Sequence, residues 1–218
     1  MRIFNANWIS YNAGPSPDDC RRTEIFTMGC KAGAEGHPCK GCFNPSLWHV
    51  NEKRKDQSPE EVAAHIMKHA PNKYITFVGG EPLDQSKDLA ETCKILHMNG
   101  YHIIVFTHYK LSDIFSLGRT FYLFSRDLRT LLTSIDILVD GAYDETQRIY
   151  DETICNGVNN TIGSANQIVW DVKEWNDSGL NRIRGARAGD LKALTIEPET
   201  NRLIFLLKDG AAARTEVF

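Results

Sequence analysis

Ser58-Pro59-Glu60-Glu61 opens a helix, Tyr74-Ile75-Thr76-Phe77-Val78-Gly79-Gly80 closes the strand after it, and this pairing decides the fold class. Ser58 is placed to cap the helix, Pro59 suits its first turn, and Glu61 stands three residues after the cap, where its carboxylate can reach back. Val62, Ile66 and Met67 supply an apolar stripe that Asn72 ends, and the β-branched and aromatic run from Tyr74 to Val78 reads as a strand. The unit recurs. Asp88 to Met98 has helical spacing and stops at Asn99-Gly100, ahead of a strand from His102 to Thr107. A third pass, Leu111 to Thr133, is helical in part, breaks near Gly118 and leads to a strand from Ile135 to Val139 with Asp140-Gly141 at its end. Upstream, Thr23 to Met28 is a short strand running into Gly29-Cys30. Helices alternating with apolar strands predict right-handed crossovers and a parallel sheet. Beyond Tyr143 the pattern weakens to a helix near Glu145 to Ile154, a strand near Gln167 to Val172, a mobile polar loop from Asn176 to Asp190, and a hairpin of Lys192 to Ile196 with Arg202 to Leu207.

The chain has 218 residues, 25 Lys and Arg against 28 Asp and Glu, and a net charge of −3. One substantial core is the default for that length. A nearly neutral balance without a basic run argues against a general nucleic-acid or anionic-membrane binder. No apolar run reaches the roughly 20 residues of a membrane helix, and the N-terminus lacks the basic and apolar regions of a signal peptide, so a cytoplasmic protein is expected.

Of six cysteines, Cys30, Cys39 and Cys42 fall within thirteen positions, in a stretch from Gly29 to about Lys55 that reads as one long loop. Loops of that length are uncommon unless functional. In a reducing compartment such a cluster points to metal rather than disulfides. Three thiolates with a fourth ligand, His37 or His49, would hold zinc, and three alone can hold an iron–sulfur cluster; on the cysteines by themselves both stay open. Cys93 reads as core packing on a helix stripe, while Cys20 and Cys155 have no partner at metal-site spacing. His65 and His69, four apart, read as a solvated helix face, and Arg182-Ile183-Arg184-Gly185-Ala186-Arg187 as a basic loop that could serve as a docking surface.

Cys39-Lys40-Gly41-Cys42-Phe43-Asn44-Pro45-Ser46-Leu47-Trp48 resembles the cluster loop of the radical SAM (S-adenosylmethionine) glycyl-radical activating enzymes. Gly79-Gly80-Glu81-Pro82 follows 37 positions after Cys42, after one helix and one strand, where that superfamily carries its GGEP motif. Asn12-Ala13-Gly14-Pro15, Phe26-Thr27-Met28-Gly29-Cys30, Leu138-Val139-Asp140-Gly141 and Gly163-Ser164-Ala165-Asn166-Gln167 add matches to the anaerobic ribonucleotide reductase activase branch. The resemblance spans about residues 1–172. It departs in having eight residues rather than three between the first two cysteines, in a stretch near Ser112 to Thr133, and in the tail after Trp175. A longer loop still closes, at a cost of only roughly 0.6 kcal/mol per doubling of length.

The resemblance implies an incomplete (β/α)6-type partial TIM barrel in a single domain, 1–218, with its core in 1–172 and an extension over 173–218. It implies that Cys30, Cys39 and Cys42 ligate a [4Fe-4S] cluster whose open iron takes S-adenosylmethionine, with an electron then breaking a carbon–sulfur bond. Gly79 and Gly80 are expected to let the backbone approach the methionyl group, with Glu81 fixing its ammonium and Gly41 and Phe43 lying over the adenine edge and cluster. Thr107, Asp140, Ser164 and Asn166 fall at or near later strand ends, where ribose and adenine need polar partners. The implied partner is a glycyl-radical protein, the large chain of an anaerobic ribonucleotide reductase, with an electron donor such as flavodoxin and neither membrane nor nucleic acid. A small-molecule enzyme such as a 7-carboxy-7-deazaguanine synthase is the nearest alternative, disfavoured by Phe43-Asn44 after the third cysteine; a zinc-stabilised binding module is the alternative of another class.

Overall fold

The computed structural model describes residues 1–17, 21–51, 53, 55–112, 124–150, 163–179 and 182–217. Eight strands form one sheet in the order β1 (Ile3–Ser10), β2 (Arg22–Thr27), β3 (Tyr74–Gly79), β4 (His102–Phe106), β5 (Ile137–Asp140), β6 (Ile168–Asp171), β7 (Arg182–Arg187) and β10 (Arg214–Val217); β8 (Leu191–Ile196) and β9 (Leu203–Leu207) make a separate antiparallel hairpin. The centre, β2 to β5, is parallel, as the alternating pattern predicts. Both flanks are antiparallel: β1 on β2, then β6 on β5, β7 on β6 and β10 on β7. The fold is therefore α/β with a mixed sheet.

A crossover explains where the parallel run stops. Parallel neighbours need a long connection, usually a helix, and α2 (Pro59–His69) and α3 (Ser86–Met98) supply it for β3 and β4. The helix expected over Glu145 to Ile154 is a single 3-10 turn at Glu145–Gln147, beyond which Arg148 bridges antiparallel to Ser164; residues 151–162 lie outside the described ones. After this connection β6 pairs antiparallel with β5. The capping box on α2 forms as its sequence dictates, with Ser58 Oγ accepting from the Glu61 N–H (3.2 Å) and Glu61 Oε2 accepting from the Ser58 N–H (2.8 Å).

Alternate residues of the central strands serve two cores. Ile103 and Val105 face α2 and α3 with Ile75, Phe77 and Leu138, and they meet Val62, Ile66, Leu89 and Leu96. Ile104 points the other way, with Ile137, Val139 and Val169, against Leu191, Leu194, Ile196 and Leu203 of the hairpin. The unplaced tail thus covers one face of the sheet. Gly118 and the break expected there fall outside the described residues; α4 (Phe124–Leu132) follows, and α5 (Val172–Asp177) caps β6.

One sequence reading is corrected here. Arg182–Arg187 is not a loop but β7, with Ile183 and Ala186 buried between exposed arginines. Gly185 is bare because a Cβ there would lie 2.4 Å from the Trp170 ring, and Arg184 ion-pairs with Glu174 (2.8 Å), so the segment is part of the sheet rather than a free basic surface. His65 and His69 are exposed on α2, as expected of a solvated helix face, and their rings also lie against Trp8 of β1, with centroids 5.4 and 5.2 Å away. β1 itself has no counterpart in the sequence reading, because its asparagines and four exposed positions mask the alternation of an edge strand.

Below the C-terminal strand ends, loop 11–17 forms a floor. Arg22, fully buried, donates to Thr76 Oγ1 (2.7 Å) and to the carbonyls of Pro15 (2.8 Å) and Ile75 (2.6 Å), and the Thr76 hydroxyl donates to the Ala13 carbonyl (2.6 Å). Burial pulls the guanidinium down to about 9, which still leaves it charged at neutral pH.

Candidate functional site

Cys30 follows β2 by three residues and caps α1 (Lys31–Ala34), its sulfur accepting from the Gly33 N–H at 3.4 Å. Four of the eight residues between Cys30 and Cys39 are thereby wound into one helical turn, which brings the chain back on itself. Cys39 and Cys42 close the next turn, with the Cys42 N–H donating to the Cys39 carbonyl (3.1 Å), and the Trp48 indole N–H donates to Cys42 Sγ (3.4 Å). The long loop of the sequence reading is thus structured, with a second, 3-10 turn at Pro45–Leu47. All three cysteines are free, half-buried, and line one cavity of about 480 Å³ at the C-terminal ends of β2, β3 and β4.

Their electrostatics ask for a cation. Burial raises the Cys30 and Cys39 thiols; Glu81, Asp84 and Cys39 push Cys30 further, and Cys42 and Glu81 push Cys39, while N–H groups of Gly33 and Tyr143 pull the other way. Two such raised thiols, Cys30 and Cys39, ionise together only against positive charge, which iron supplies. Among the described residues no three His, Cys, Asp or Glu side chains are arranged to hold a single metal ion. Three half-buried thiols on one cavity wall are the soft donor set that an iron–sulfur cluster takes. Cys93 is fully buried in the helix core, as expected of a packing residue; Cys20 and Cys155 lie outside the described residues.

Gly79-Gly80-Glu81 lines the cavity beside the cysteines, and its residues also hold the surrounding chain together. Gly79 has φ +116°, and a Cβ on it would stand 2.5 Å from the Thr27 backbone; a Cβ on Gly80 would stand 2.2 Å from the Gly29 carbonyl oxygen. The glycines are required by the crossing of their own chain, which is stitched by Gly80 N–H to Thr27 O (2.9 Å) and Glu81 N–H to Gly29 O (2.7 Å). Glu81 is 1% exposed and its carboxylate is fully engaged: Oε1 accepts from the Thr107 hydroxyl (2.8 Å) and the Leu83 N–H (2.9 Å), and Oε2 from the His108 N–H (2.8 Å) and His108 Nδ1 (2.6 Å).

Thr107 and Phe43 line the cavity with Gly79, Gly80 and Glu81. Phe43 is 57% exposed at the mouth, against Tyr143 (4.3 Å between centroids) and under the Arg148 guanidinium (5.5 Å). Four other expected residues are not on the cavity wall. Gly41, at φ +73°, backs onto the Glu145 carboxylate; Asp140 is buried and accepts from the Leu111 N–H (2.6 Å); Ser164 is buried and accepts from the Asp144 N–H (3.2 Å); Asn166 donates to the Ala142 carbonyl (2.7 Å). Each is consumed by the backbone turn it shapes. In their place the cavity gains Glu24 and Phe26 of β2, His108, Tyr143, Arg148 and Gln167. Glu24 and Phe26 were legible as alternate residues of the strand before Cys30; Arg148 had no signal.

A sequence family described as a 4Fe-4S single cluster domain matches residues 19–170. The chain belongs to this family. It is also 32% identical over 88 residues to the pyruvate formate-lyase-activating enzyme of Staphylococcus epidermidis, covering 38% of this chain and 33% of that one. A pyruvate formate-lyase-activating enzyme of Staphylococcus aureus gives 30% over 83 residues, 36% and 31% of the two chains. The anaerobic ribonucleoside-triphosphate reductase-activating protein of Salmonella typhimurium is 26% identical over 155 residues, 68% of this chain and 86% of that one. The chain thus spans about a third of the length of the pyruvate formate-lyase-activating enzymes it matches. These matches bear out the resemblance to the glycyl-radical activating enzymes and the [4Fe-4S] cofactor, and set the zinc module aside. As a member of the 4Fe-4S single cluster family, the chain has its three cavity cysteines within the matched residues, whereas β7 to β10 lie beyond them.

Proposed function

We propose that this chain is a radical SAM activase that installs a glycyl radical on a partner protein, the large chain of an anaerobic ribonucleotide reductase, taking its electron from a donor such as flavodoxin in the cytoplasm. One observation carries this reading: three cysteines and Gly79-Gly80-Glu81 meet in one cavity at the ends of adjacent parallel strands. When bound, the cluster and S-adenosylmethionine supply one-electron cleavage of a carbon–sulfur bond, and with it an abstracting radical.

The protein's part is to bind, orient and exclude water. Cys30, Cys39 and Cys42 would hold the cluster, with N–H groups of Gly33 and Trp48 on two of the sulfurs. Val78, Phe106 and Phe26 give the cavity apolar walls that keep water from a reactive radical. Gly79, Gly80 and Glu81 shape the wall beside the cysteines, Thr107 braces Glu81, and Phe43 with Tyr143 offers an aromatic face at the mouth. Asp140, Ser164, Asn166 and Gly41 act one step back, by fixing the turns behind that wall. We read the sheet as an incomplete barrel within a single domain: the hairpin shares a core with β4, β5 and β6, which ties the extension to the matched region. Among the described residues no helix is long and apolar enough to cross a membrane.

The test is anaerobic incubation with S-adenosylmethionine, reductant and a candidate reductase. A glycyl-radical doublet in the electron paramagnetic resonance spectrum of the partner, requiring all components, is expected. No doublet, with consumption of a purine precursor instead, would transfer the reading to the small-molecule enzyme.

A further inference from the structure

Glu81 has no acceptor capacity left for an incoming ammonium. A carboxylate offers about four lone-pair sites, and Thr107, Leu83 and the two nitrogens of His108 fill them within 2.6 to 2.9 Å. What this assembly turns toward the cavity is the ring of His108, whose side chain is 19% exposed and lines the wall beside Glu81. Because Nδ1 is committed to Glu81, Nε2 is the nitrogen left for a ligand. A carboxylate on Nδ1 fixes the orientation of an imidazole and keeps a proton on Nδ1, so that Nε2 also bears one, and can donate, in the imidazolium form. Burial alone would lower the imidazole's pKa, but the hydrogen bond and charge of Glu81, with the charge of Asp84, more than offset it and raise it above the usual value. Asp84 is in turn held by the Tyr109 hydroxyl (2.8 Å) and the Lys31 N–H (2.6 Å), so it keeps its place behind the ring.

We infer that His108, rather than Glu81, meets the methionyl end of S-adenosylmethionine, donating Nε2–H to its carboxylate. This rests on the proposed function and assigns within it the residue that reads the charged end of the cofactor. Glu81 becomes the positioning residue, since its charge holds the ring in place. An imidazolium held against a buried carboxylate presents Nε2–H to the cavity as a charge-assisted donor of fixed direction.

The experiment compares S-adenosylmethionine with its decarboxylated analogue on anaerobically reconstituted, cluster-loaded protein, by equilibrium dialysis. His108→Asn is the first variant, because its amide N–H can replace Nδ1 toward Glu81 while Nε2 is lost; His108→Gln is the second, and iron content verifies loading of both. The wild type should prefer the carboxylated compound. His108→Asn should bind S-adenosylmethionine about tenfold or more weakly, the size of one charge-assisted hydrogen bond, His108→Gln, whose amide N–H can reach the place of Nε2, should lose less, and both should bind the analogue within about twofold of wild type. Equal weakening for both compounds, or none, overturns the assignment, as does a changed cluster potential without ligand accompanied by unchanged discrimination, which would place the imidazole on the cluster. A loaded wild type that binds neither compound sinks the proposed function itself, and the His108 assignment with it.

Discussion

Gly80 lies where the end of β3 crosses the end of β2, and the nearest atom to any side chain there would be a backbone carbonyl oxygen that cannot rotate away. Gly80→Ala should cost about 3 kcal/mol, at the upper end for overpacking, and the variant should retain less iron; an unchanged urea midpoint would show that the two strand ends can separate. Trp48 gives a second residue-scale test. Its indole N–H on Cys42 Sγ stabilises negative charge on that sulfur, and cluster potentials follow such hydrogen bonds. Trp48→Phe should make the cluster potential more negative at unchanged iron content, as read by redox titration, and a potential that stays put removes this bond from the account. Legibility at this scale followed chemistry. Cysteines and paired glycines are restrictive enough to be read from sequence, although the tight crossing of the chain at Gly79 and Gly80 was not part of that reading. Asp140, Ser164 and Asn166 look the same whether they hold a turn or a ligand, and His108 stood out in no way because its partner Glu81 is 27 positions away.

Helices and central strands were legible because apolar spacing of 3.6 survives in α2 and α3, while β3 and β4 are short β-branched and aromatic runs buried on both faces. Strand direction was not, since the apolar run of β6 reads the same in either orientation and only the connection decides. β7 was missed because three arginines interrupt it and its buried residues, Ile183, Gly185 and Ala186, do not alternate. The hairpin was legible but its position was not: nothing in Leu191 to Leu207 says that it covers Ile104, Ile137 and Val139. Leu194, fully buried in that contact, gives the test, as Leu194→Ala should destabilise the protein by about 2–5 kcal/mol. An effect below 1 kcal/mol would mean the hairpin packs elsewhere. Ser58→Ala, in contrast, should cost about 1 kcal/mol through the lost cap of α2, with no change in iron content.

For the molecule as a whole, stability and chemistry are located at opposite ends of the strands. His102, buried beside the Arg22 guanidinium at 3.4 Å, is held neutral, its pKa depressed well below the usual value by burial first and then by Arg22. Its contribution is present above the unfolded value of about 6.5 and is lost as pH falls below it, because only the unfolded chain takes up the proton, at up to about 1.4 kcal/mol per pH unit. Asp136, raised by burial to about 6, works in the opposite sense over an overlapping range. The difference between wild type and His102→Gln isolates the histidine: denaturation curves at pH 7.5 and 5.5 should show a smaller acid loss in the variant, and equal losses would contradict a neutral buried ring. At the other end, the central claim is that three thiolates of one cavity hold an open-iron cluster that cleaves S-adenosylmethionine. The most direct measurement is the 5′-deoxyadenosine released when anaerobically reconstituted protein is reduced in the presence of S-adenosylmethionine, compared with Cys39→Ala. The account predicts release of 5′-deoxyadenosine with methionine in equal amounts by the wild type and none by the variant; intact S-adenosylmethionine on fully loaded wild type, or undiminished release by Cys39→Ala, would contradict it.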